Sequence, residues 1–291
     1  MTVVENAYAK INLYLDVTGK RDDGFHDILS VMHSVSLSDT ITVSSEICDK
    51  TSITISCDKA DLPTNEDNIV YRTVEEYLSY FNLRAKTSVV IDKRIPIGAG
   101  LGGGSSDAAA TLRALNKIFQ CGTSNDLQAI AEKLGSDVPF CLFGGLYLCS
   151  GRGEILNRLD SGLAENFVVA IGDTRVSTPR AYAELDQKFD NFVNYKGNEL
   201  YRQMIADLER EDGVSIPLYN IFQHISSTSE IDKIKEIMTK NGAEYTLMSG
   251  SGPSVFARFA NSNSADTACK ALCDVGYTAF SCHSVYPEVT I

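Results

Sequence analysis

The feature that most constrains this chain is a glycine-rich run, Pro96-Ile-Gly-Ala-Gly-Leu-Gly-Gly-Gly-Ser-Ser106. It follows a β-branched segment, Thr87–Ile91, that predicts a strand, and it leads into Ser105–Phe119, whose composition predicts a helix. Glycines let the backbone approach an anion closely, and the following helix directs free N–H groups and a positive dipole end towards it. The run therefore predicts a phosphate-binding loop, with Gly98–Gly104 outside regular secondary structure.

Other interpretations of this run fit less well. Gly98, Gly100 and Gly103 also satisfy the dinucleotide-binding pattern G-x-G-x-x-G. That fold needs a second strand ending in an acidic residue about 20 residues later, whereas Gln120–Asp126 has the composition of a turn. A Walker A loop is excluded because no lysine follows the glycines. A merely flexible loop is disfavoured because the run joins a strand directly to a well-formed helix.

The composition limits the partners of the chain. At 291 residues with 44% hydrophobic residues, we expect two globular domains. The net charge of −12 repels nucleic acid and anionic membranes, so we expect neither as a partner. An anionic ligand must then be held by local devices such as the glycine-rich run. Eight cysteines without a C-x-x-C pair, and no signal-peptide pattern, indicate reduced thiols and a cytoplasmic setting.

The hydrophobic pattern predicts an α+β architecture. In Ala7–Val17 the apolar residues alternate, which places Lys10 and Asn12 together on the opposite face of a strand. We place the domains at residues 1–160 and 161–291. The second domain shows a β-α-β-β-α-β order. Its predicted elements are Phe167–Ile171, Pro179–Leu185, Tyr245–Met248, Ser254–Phe259, Ser264–Val275 and Thr278–Val285, and further helices are predicted at Asn68–Phe81, Asp126–Leu134, Gly197–Arg210 and Ile231–Asn241.

Three segments together resemble the motifs of one enzyme superfamily. The glycine-rich run is similar to the second motif of the GHMP kinases (galactokinase, homoserine, mevalonate and phosphomevalonate kinases). Ala9–Leu13 resembles their first motif, and Met248–Phe256 resembles their third, a turn that lies beside the phosphate loop in that fold. The resemblance implies a two-domain α+β GHMP kinase fold. Its N-terminal domain would be like ribosomal protein S5 domain 2 and its C-terminal domain ferredoxin-like, with ATP and a small-molecule acceptor meeting in the cleft between them.

Four further segments narrow the resemblance to the 4-diphosphocytidyl-2-C-methyl-D-erythritol kinase family. They are Gly19–His26, Glu66–Asn68, Gly135–Phe140 and Ser177–Tyr182. The resemblance implies phosphorylation of the substrate's 2-hydroxyl in the non-mevalonate isoprenoid route. Phe25 departs from the family, which more often has tyrosine there, and residues 186–240 match no motif.

The same resemblance implies the catalytic pair. Asp137 would be the base that removes the proton from the acceptor hydroxyl, and Lys10 the cation that keeps it ionised and stabilises the transferring phosphoryl group. The sequence alone leaves two alternatives open. Asp137 could be the N-cap of a short helix that contains Pro139, and Lys10 could be an exposed strand lysine.

The binding residues are also carried over from the resemblance. Substrate contacts are implied for Asn12, Phe25, His26, Thr178 and Tyr182, with the aromatic rings stacking on cytosine. ATP contacts are implied for Asn68, Pro96, Ile97, Gly98, Ala99, Gly100, Leu101, Gly102, Gly103, Gly104, Ser105 and Ser106. Support of the phosphate loop is implied for Ser249, Gly250, Ser251 and Gly252. Simple solvation of Asn12, a polar loop role for His26 and helix capping by Asn68 remain alternatives.

The expected ligands are ATP as co-substrate, Mg²⁺ bound with the nucleotide, and a small-molecule substrate. No dedicated protein metal cage is visible, and we expect a monomer or weak homodimer. The cysteines and His33, His224 and His283 are interpreted as structural. Two other functions compete: a mevalonate-type GHMP kinase, which the Gly24-Phe-His26 segment disfavours, and a non-catalytic nucleotide-binding regulator, which would be expected to lack Lys10 or Asp137.

Overall fold

The computed structural model describes residues 1–159, 164–188, 202 and 217–287. The first half contains strands β1 (Thr2–Lys20), β2 (His26–Ile47), β3 (Ser52–Cys57), β4 (Ala85–Asp92), β5 (Leu146–Ser150) and β6 (Ile155–Arg158), and helices α1 (Ile69–Tyr80), α2 (Gly103–Phe119), α3 (Ser124–Leu134) and α4 (Val138–Phe143). The second half contains strands β7 (Asn166–Ile171), β8 (Tyr219–Asn220), β9 (Tyr245–Met248), β10 (Val255–Phe259) and β11 (Thr278–His283), and helices α5 (Thr178–Lys188), α6 (Gln223–Ser226), α7 (Ser229–Lys240) and α8 (Ser262–Asp274). This mixture confirms the predicted α+β class.

The first sheet is built around the long antiparallel pair β1 and β2. Its strands run in the order β3-β4-β2-β1-β8, with β5 pairing to β2 and β6 to β5. The register of β1 shifts between Tyr8 and Lys10 and again between Asn12 and Tyr14. Each shift rotates the strand and breaks the two-residue alternation. The prediction of one apolar face is therefore wrong in part, because both faces of β1 are buried around Tyr14.

Helix α2 is the central helix of the first half, and it packs on β1, β2, α1 and α4. Every residue from 106 to 116 is buried, and Leu112 and Leu115 are fully so, which stabilises the fold by about 2 kcal/mol for each side chain. The helix begins at Gly103 and not at Ser105. The expectation that Gly98–Gly104 lies outside regular structure is therefore wrong for its last two glycines, which form the first helical turn.

The second sheet is fully antiparallel, with the order β11-β7-β10-β9. Together with α7 and α8, which pack on it, this sheet gives the β-α-β-β-α-β order that the sequence predicted. The predicted boundary at residues 160 and 161 and nearly all of the predicted helix 197–210 lie outside the described residues, so both stay predictions. In the part of the chain that is described, no helix has the length and apolar composition needed to cross a bilayer.

Strand β8 was not predicted. Tyr219 and Asn220 pair in parallel with Tyr14 and Leu15 of β1. The side-chain amide of Asn220 donates hydrogen bonds to the carbonyls of Met248 (2.7 Å) and Gly250 (2.8 Å). Two residues from the second half therefore complete the first sheet and fix the turn after β9 against it.

Candidate active site

Two cavities meet at the glycine-rich run. The first, of about 660 Å³, contains Lys10 and Asp137 and extends to Phe25 and Tyr182; we call it the Lys10 cavity. The second, of about 430 Å³, lies between the start of α1 and the run; we call it the Asn68 cavity. Both are lined by Gly100, Gly102 and Ser105, so a group on the loop is accessible from either side.

The loop before α2 is closed tightly over β1. Gly98, Gly100 and Gly102 have φ of 68°, 76° and 70°, a conformation that glycine adopts at little cost. The amide of Lys10 donates to the Leu101 carbonyl at 2.9 Å. A Cβ on Gly102 would lie 2.8 Å from Cγ of Lys10. The glycines thus allow the loop to pass directly over the lysine side chain.

Lys10 and Asp137 face each other in the Lys10 cavity. Nζ of Lys10 lies 3.5 Å from Oδ2 of Asp137, and the side chains are 6% and 28% exposed. Asp137 occupies the N-cap position of α4, but its carboxylate makes no capping hydrogen bond. Neither alternative therefore holds: the lysine is buried, and the carboxylate faces the cavity and does not cap the helix.

Asn12 is held entirely by the protein. Its side-chain oxygen accepts from Nζ of Lys10 (2.7 Å) and from the amide of Gly250 (3.0 Å). Its amide nitrogen donates to Oγ of Ser30 at 2.8 Å. Asn12 lines the Lys10 cavity but is only 1% exposed. It orients Lys10 and ties it to the third glycine-rich turn, and its direct contact with a substrate stays a prediction.

The turn after β9 packs against the glycine-rich run. Oγ of Ser249 donates to the Gly100 carbonyl at 3.2 Å, and the Ser254 amide approaches the Ala99 carbonyl at 3.4 Å. Thr178 and Ser251 share a hydrogen bond between their hydroxyls of 2.9 Å at the edge of the Lys10 cavity. The third segment therefore lies beside the predicted phosphate loop, as the sequence interpretation requires.

The far end of the Lys10 cavity is aromatic. The rings of His26 and Tyr182 are stacked with centroids 4.7 Å apart, so they touch each other and leave no space for a base between them. Nε2 of His26 donates to Asp186 at 2.7 Å, and Lys20 donates to the same carboxylate at 2.6 Å. Partial burial opposes ionisation of Asp186, but these hydrogen bonds outweigh it and lower the carboxyl pKa.

Phe25 also lines the Lys10 cavity and is 52% exposed. The guanidinium carbon of Arg152 lies 5.1 Å from the centroid of its ring. A nucleobase could reach Phe25 from the cavity, so a stack that uses Phe25 and Tyr182 stays a prediction.

Two predicted nucleotide contacts have other partners. Asn68 caps α1: its side-chain oxygen accepts from the Val70 amide at 2.9 Å, and its amide nitrogen donates to the Pro63 carbonyl at 2.7 Å. It still lines the Asn68 cavity, so an adenine contact stays a prediction. Ser106 lines neither cavity, and its hydroxyl donates to the Tyr8 carbonyl at 2.5 Å. In this geometry the Ser106 hydroxyl does not point towards a bound phosphate, because the side chain faces the interior.

Comparison with known proteins identifies the family. Residues 68–145 match the model of the GHMP kinases N terminal domain, and residues 201–278 match that of the GHMP kinases C terminal domain. The chain is 36% identical over 279 residues to the 4-diphosphocytidyl-2-C-methyl-D-erythritol kinase of Macrococcus caseolyticus, covering 93% of this chain and 95% of that protein. The chain belongs to the GHMP kinase family.

Two further matches agree. The 4-diphosphocytidyl-2-C-methyl-D-erythritol kinase of Caldicellulosiruptor saccharolyticus is 38% identical over 264 residues, which is 89% of each chain. A crystal structure of 4-(cytidine 5'-diphospho)-2C-methyl-D-erythritol kinase superposes with a TM-score of 0.75 at 30% identity, covering 97% of this chain and 99% of that one. As a GHMP kinase the chain is a small-molecule kinase, and its two-domain α+β fold is the family's fold.

Sequence reasoning missed several residues of this GHMP kinase site. Asp186 follows Tyr182 by four positions on a helix, so its placement beside the aromatic end could have been inferred. Arg152 lies between two glycines, which could have indicated a turn that presents a cation. Lys93 and Asp39, buried beneath the glycine-rich run, gave no signal because their contact joins residues 54 positions apart.

Proposed function

We propose that this chain transfers the γ-phosphoryl group of ATP to the 2-hydroxyl of 4-diphosphocytidyl-2-C-methyl-D-erythritol, a step of isoprenoid precursor synthesis. The observation that carries the proposal is the pair Lys10 and Asp137, which face each other beside a glycine-rich loop that borders two cavities. One cavity would hold the nucleotide and the other the acceptor. The relatives described above are named for this reaction, which supports the choice of acceptor.

ATP would bind in the Asn68 cavity with its phosphates on the loop. The start of α2 presents backbone N–H groups and a positive dipole end, which favour an anion in a protein of net charge −12. Among the described residues, no group of three metal-binding side chains lies together. Mg²⁺ would therefore arrive bound to the phosphate oxygens and would neutralise part of their charge.

The transfer itself needs little covalent chemistry from the protein. The oxygen of the acceptor hydroxyl forms a bond to the γ-phosphorus while the bond to the bridging oxygen of ADP breaks. Asp137 takes the proton that leaves the hydroxyl. Lys10, held by Asn12 at 2.7 Å, places its positive charge beside both the carboxylate and the transferring group. Its fixed position means that little reorganisation is required as charge develops.

The acceptor would lie along the Lys10 cavity. The cytosine would occupy the aromatic end, where Phe25, His26 and Tyr182 offer ring faces and a hydrogen-bonding imidazole. Thr178, beside the third glycine-rich turn, would contact the acceptor on the same wall. The far end of the substrate would then bring its hydroxyl to Asp137.

The test is an ATP-dependent assay with a panel of alcohols. We expect ADP formation with 4-diphosphocytidyl-2-C-methyl-D-erythritol and a kcat/KM at least 100-fold lower with mevalonate or homoserine. Mass spectrometry should show one added phosphate on the acceptor. Preferred turnover of mevalonate would favour the other GHMP kinase function. ATP binding without phosphorylation of any alcohol would favour a non-catalytic regulator.

A further inference from the structure

The turn between β5 and β6 presents Arg152 to the Lys10 cavity. We infer that the guanidinium of Arg152 binds the diphosphate of the acceptor substrate. The inference rests on the proposed function, since it assigns one part of that substrate to one side chain. Under this inference Arg152 contacts the phosphates of a nucleoside diphosphate. A nucleoside without phosphates would not make this contact.

Arg152 lies between the two ends of the cavity. Its guanidinium is 5.1 Å from the ring centroid of Phe25, at the aromatic end. The next residue, Gly153, approaches the reacting end, because a Cβ there would lie 3.4 Å from the Ser136 carbonyl, next to Asp137. In the proposed acceptor the diphosphate joins the cytidine to the methylerythritol. A substrate that spans the cavity therefore has its diphosphate near Arg152.

The charge of the cavity wall supports this assignment. The lining contains two carboxylates, Asp137 and Asp186, and the cations Lys10 and Arg152. Lys10 is already engaged by Asn12 and Asp137. A diphosphate in a protein of net charge −12 needs a local cation, and Arg152 is the one placed away from the catalytic pair.

The N–H groups of the Arg152 guanidinium are available to donate hydrogen bonds to a ligand. Among the described residues its one ion pair is with Glu154, with Nε 3.7 Å from Oε1, which is too long for a hydrogen bond. The Phe25 ring, whose centroid lies 5.1 Å from the guanidinium carbon, supplies no oxygen that could accept a hydrogen bond. The guanidinium can therefore donate two parallel hydrogen bonds to phosphate oxygens.

The turn that presents Arg152 is well defined. Gly151 and Gly153 have φ of 68° and 119°, so each adopts a conformation suited to glycine. The Glu154 carboxylate accepts from the backbone amide of Arg152 at 2.6 Å. This contact fixes the backbone and leaves the side chain, 29% exposed, directed towards Phe25. The arginine is therefore pre-positioned, which lowers the entropic cost of binding an anion.

The alternative role for Arg152 is packing on Phe25 alone. A cation–π contact would stabilise the Phe25 loop and affect every ligand that uses the aromatic end. The two roles differ in what they predict for ligands with and without phosphates. Cytidine and cytidine 5'-diphosphate make this comparison directly, since they share the base and ribose.

The experiment measures Kd for both ligands by titration calorimetry with the wild-type chain, Arg152→Gln and Arg180→Gln. Arg180 is 81% exposed, pairs with Glu184 and does not line the cavity, so its variant makes the same charge change elsewhere. We expect Arg152→Gln to weaken binding of the diphosphate roughly 10- to 100-fold, the usual effect of charged hydrogen bonds. Cytidine should change less than about twofold, and Arg180→Gln should match the wild type for both.

Other outcomes overturn the inference. Equal weakening of cytidine and the diphosphate by Arg152→Gln would assign Arg152 to packing. Unchanged affinity for the diphosphate would show that the guanidinium makes no contact with it. If neither ligand bound the wild-type chain, the proposed acceptor and this inference would fail together, whereas binding of both with an unchanged ratio in Arg152→Gln would contradict the inference alone.

Discussion

Nζ of Lys93 lies 2.7 Å from a carboxylate oxygen of Asp107, inside the protein beneath the first turn of α2. The same ammonium donates to Asp39 at 2.5 Å, and Asp39 also accepts from the amides of Arg94 and Ile95. The other oxygen of Asp107 is buried and has no partner among the described residues. Burial raises the pKa of the Asp107 carboxyl more than the charge of Lys93 lowers it. The cluster connects β2 with the end of β4, which precedes the glycine-rich run, and with α2, which follows it.

This cluster predicts opposite effects of removing its two carboxylates. Because Asp107 holds a proton more readily when folded, the free energy of unfolding falls as pH rises from about 4 towards the raised pKa. In Asp107→Asn no carboxyl group titrates at this position, so the free energy of unfolding does not fall in this way. The variant should therefore be more stable than the wild type at pH 8–9. Asp39→Asn should lose about 3 kcal/mol, because a buried lysine and two amides lose a charged acceptor. Thermal unfolding between pH 5 and 9 tests both, and equal destabilisation by the two variants would contradict the interpretation.

The contact between the two glycine-rich segments predicts a difference between Gly100→Ala and Gly98→Ala. Both glycines have positive φ, so each alanine should cost about 1–2 kcal/mol in backbone strain. At Gly98 the new Cβ meets no atom within 4 Å, whereas at Gly100 it would lie 2.5 Å from the Ser249 carbonyl. Gly100→Ala should therefore lower the Tm further and raise the KM for ATP. Equal losses in both variants would mean that the two segments do not constrain each other.

The facing pair predicts a kcat effect for Asp137. Asp137→Asn keeps the size of the side chain but cannot accept the proton, so kcat should fall roughly 10²–10⁴-fold with little change in KM. Asp186→Asn alters another carboxylate of the same cavity and serves as the control. Because Asp186 acts on His26, it should raise the KM for the cytidyl substrate and leave kcat nearly unchanged. A near wild-type kcat for Asp137→Asn would remove it from the mechanism.

His33 predicts a specific loss of stability in acid. Its ring is buried between the Gly145 carbonyl and the Ser284 hydroxyl, and burial lowers the imidazole pKa to about 4. The unfolded chain protonates this group below pH 6.5, so acidification from pH 6.5 to 4 favours unfolding by roughly 3 kcal/mol. His33→Gln should flatten the pH dependence of the Tm in this window. His283→Gln, at an exposed position, should keep the wild-type slope, and identical slopes for all three proteins would contradict the assignment.

The sequence predicted those parts of the fold that depend on local pattern. Helix α1 has the predicted extent, with Asn68 and Phe81 as its caps, because an apolar stripe and an N-cap residue are both local signals. The convergence of Lys10, the glycine-rich run and the Ser249–Gly252 turn was predicted only through resemblance to a family. No local rule brings residues 10, 100 and 250 together.

The other features that the sequence did not predict are determined by tertiary contacts. The bulges of β1 depend on its partner strand, and β8 is two residues long, too short to give a periodic signal. Gly103 lines the Asn68 cavity, and its contact with ATP stays a prediction. A Cβ added to it would lie 3.0 Å from Nζ of Lys93 and 3.0 Å from Cγ2 of Ile95, which the sequence pattern did not indicate. Which face of a helix a glycine presents is decided by packing, and a motif does not record it.

Because strand β8 pairs with β1, the first sheet contains residues from both halves of the chain. Cutting between them would leave β1 without the parallel neighbour it gains from Tyr219 and Asn220. It would also separate the Ser249–Gly252 turn from Asn12, whose oxygen holds both Lys10 and the Gly250 amide. The two halves therefore depend on each other at the site despite their separate sheets, and we expect neither half to retain a working site when produced as an isolated fragment or grafted onto another protein.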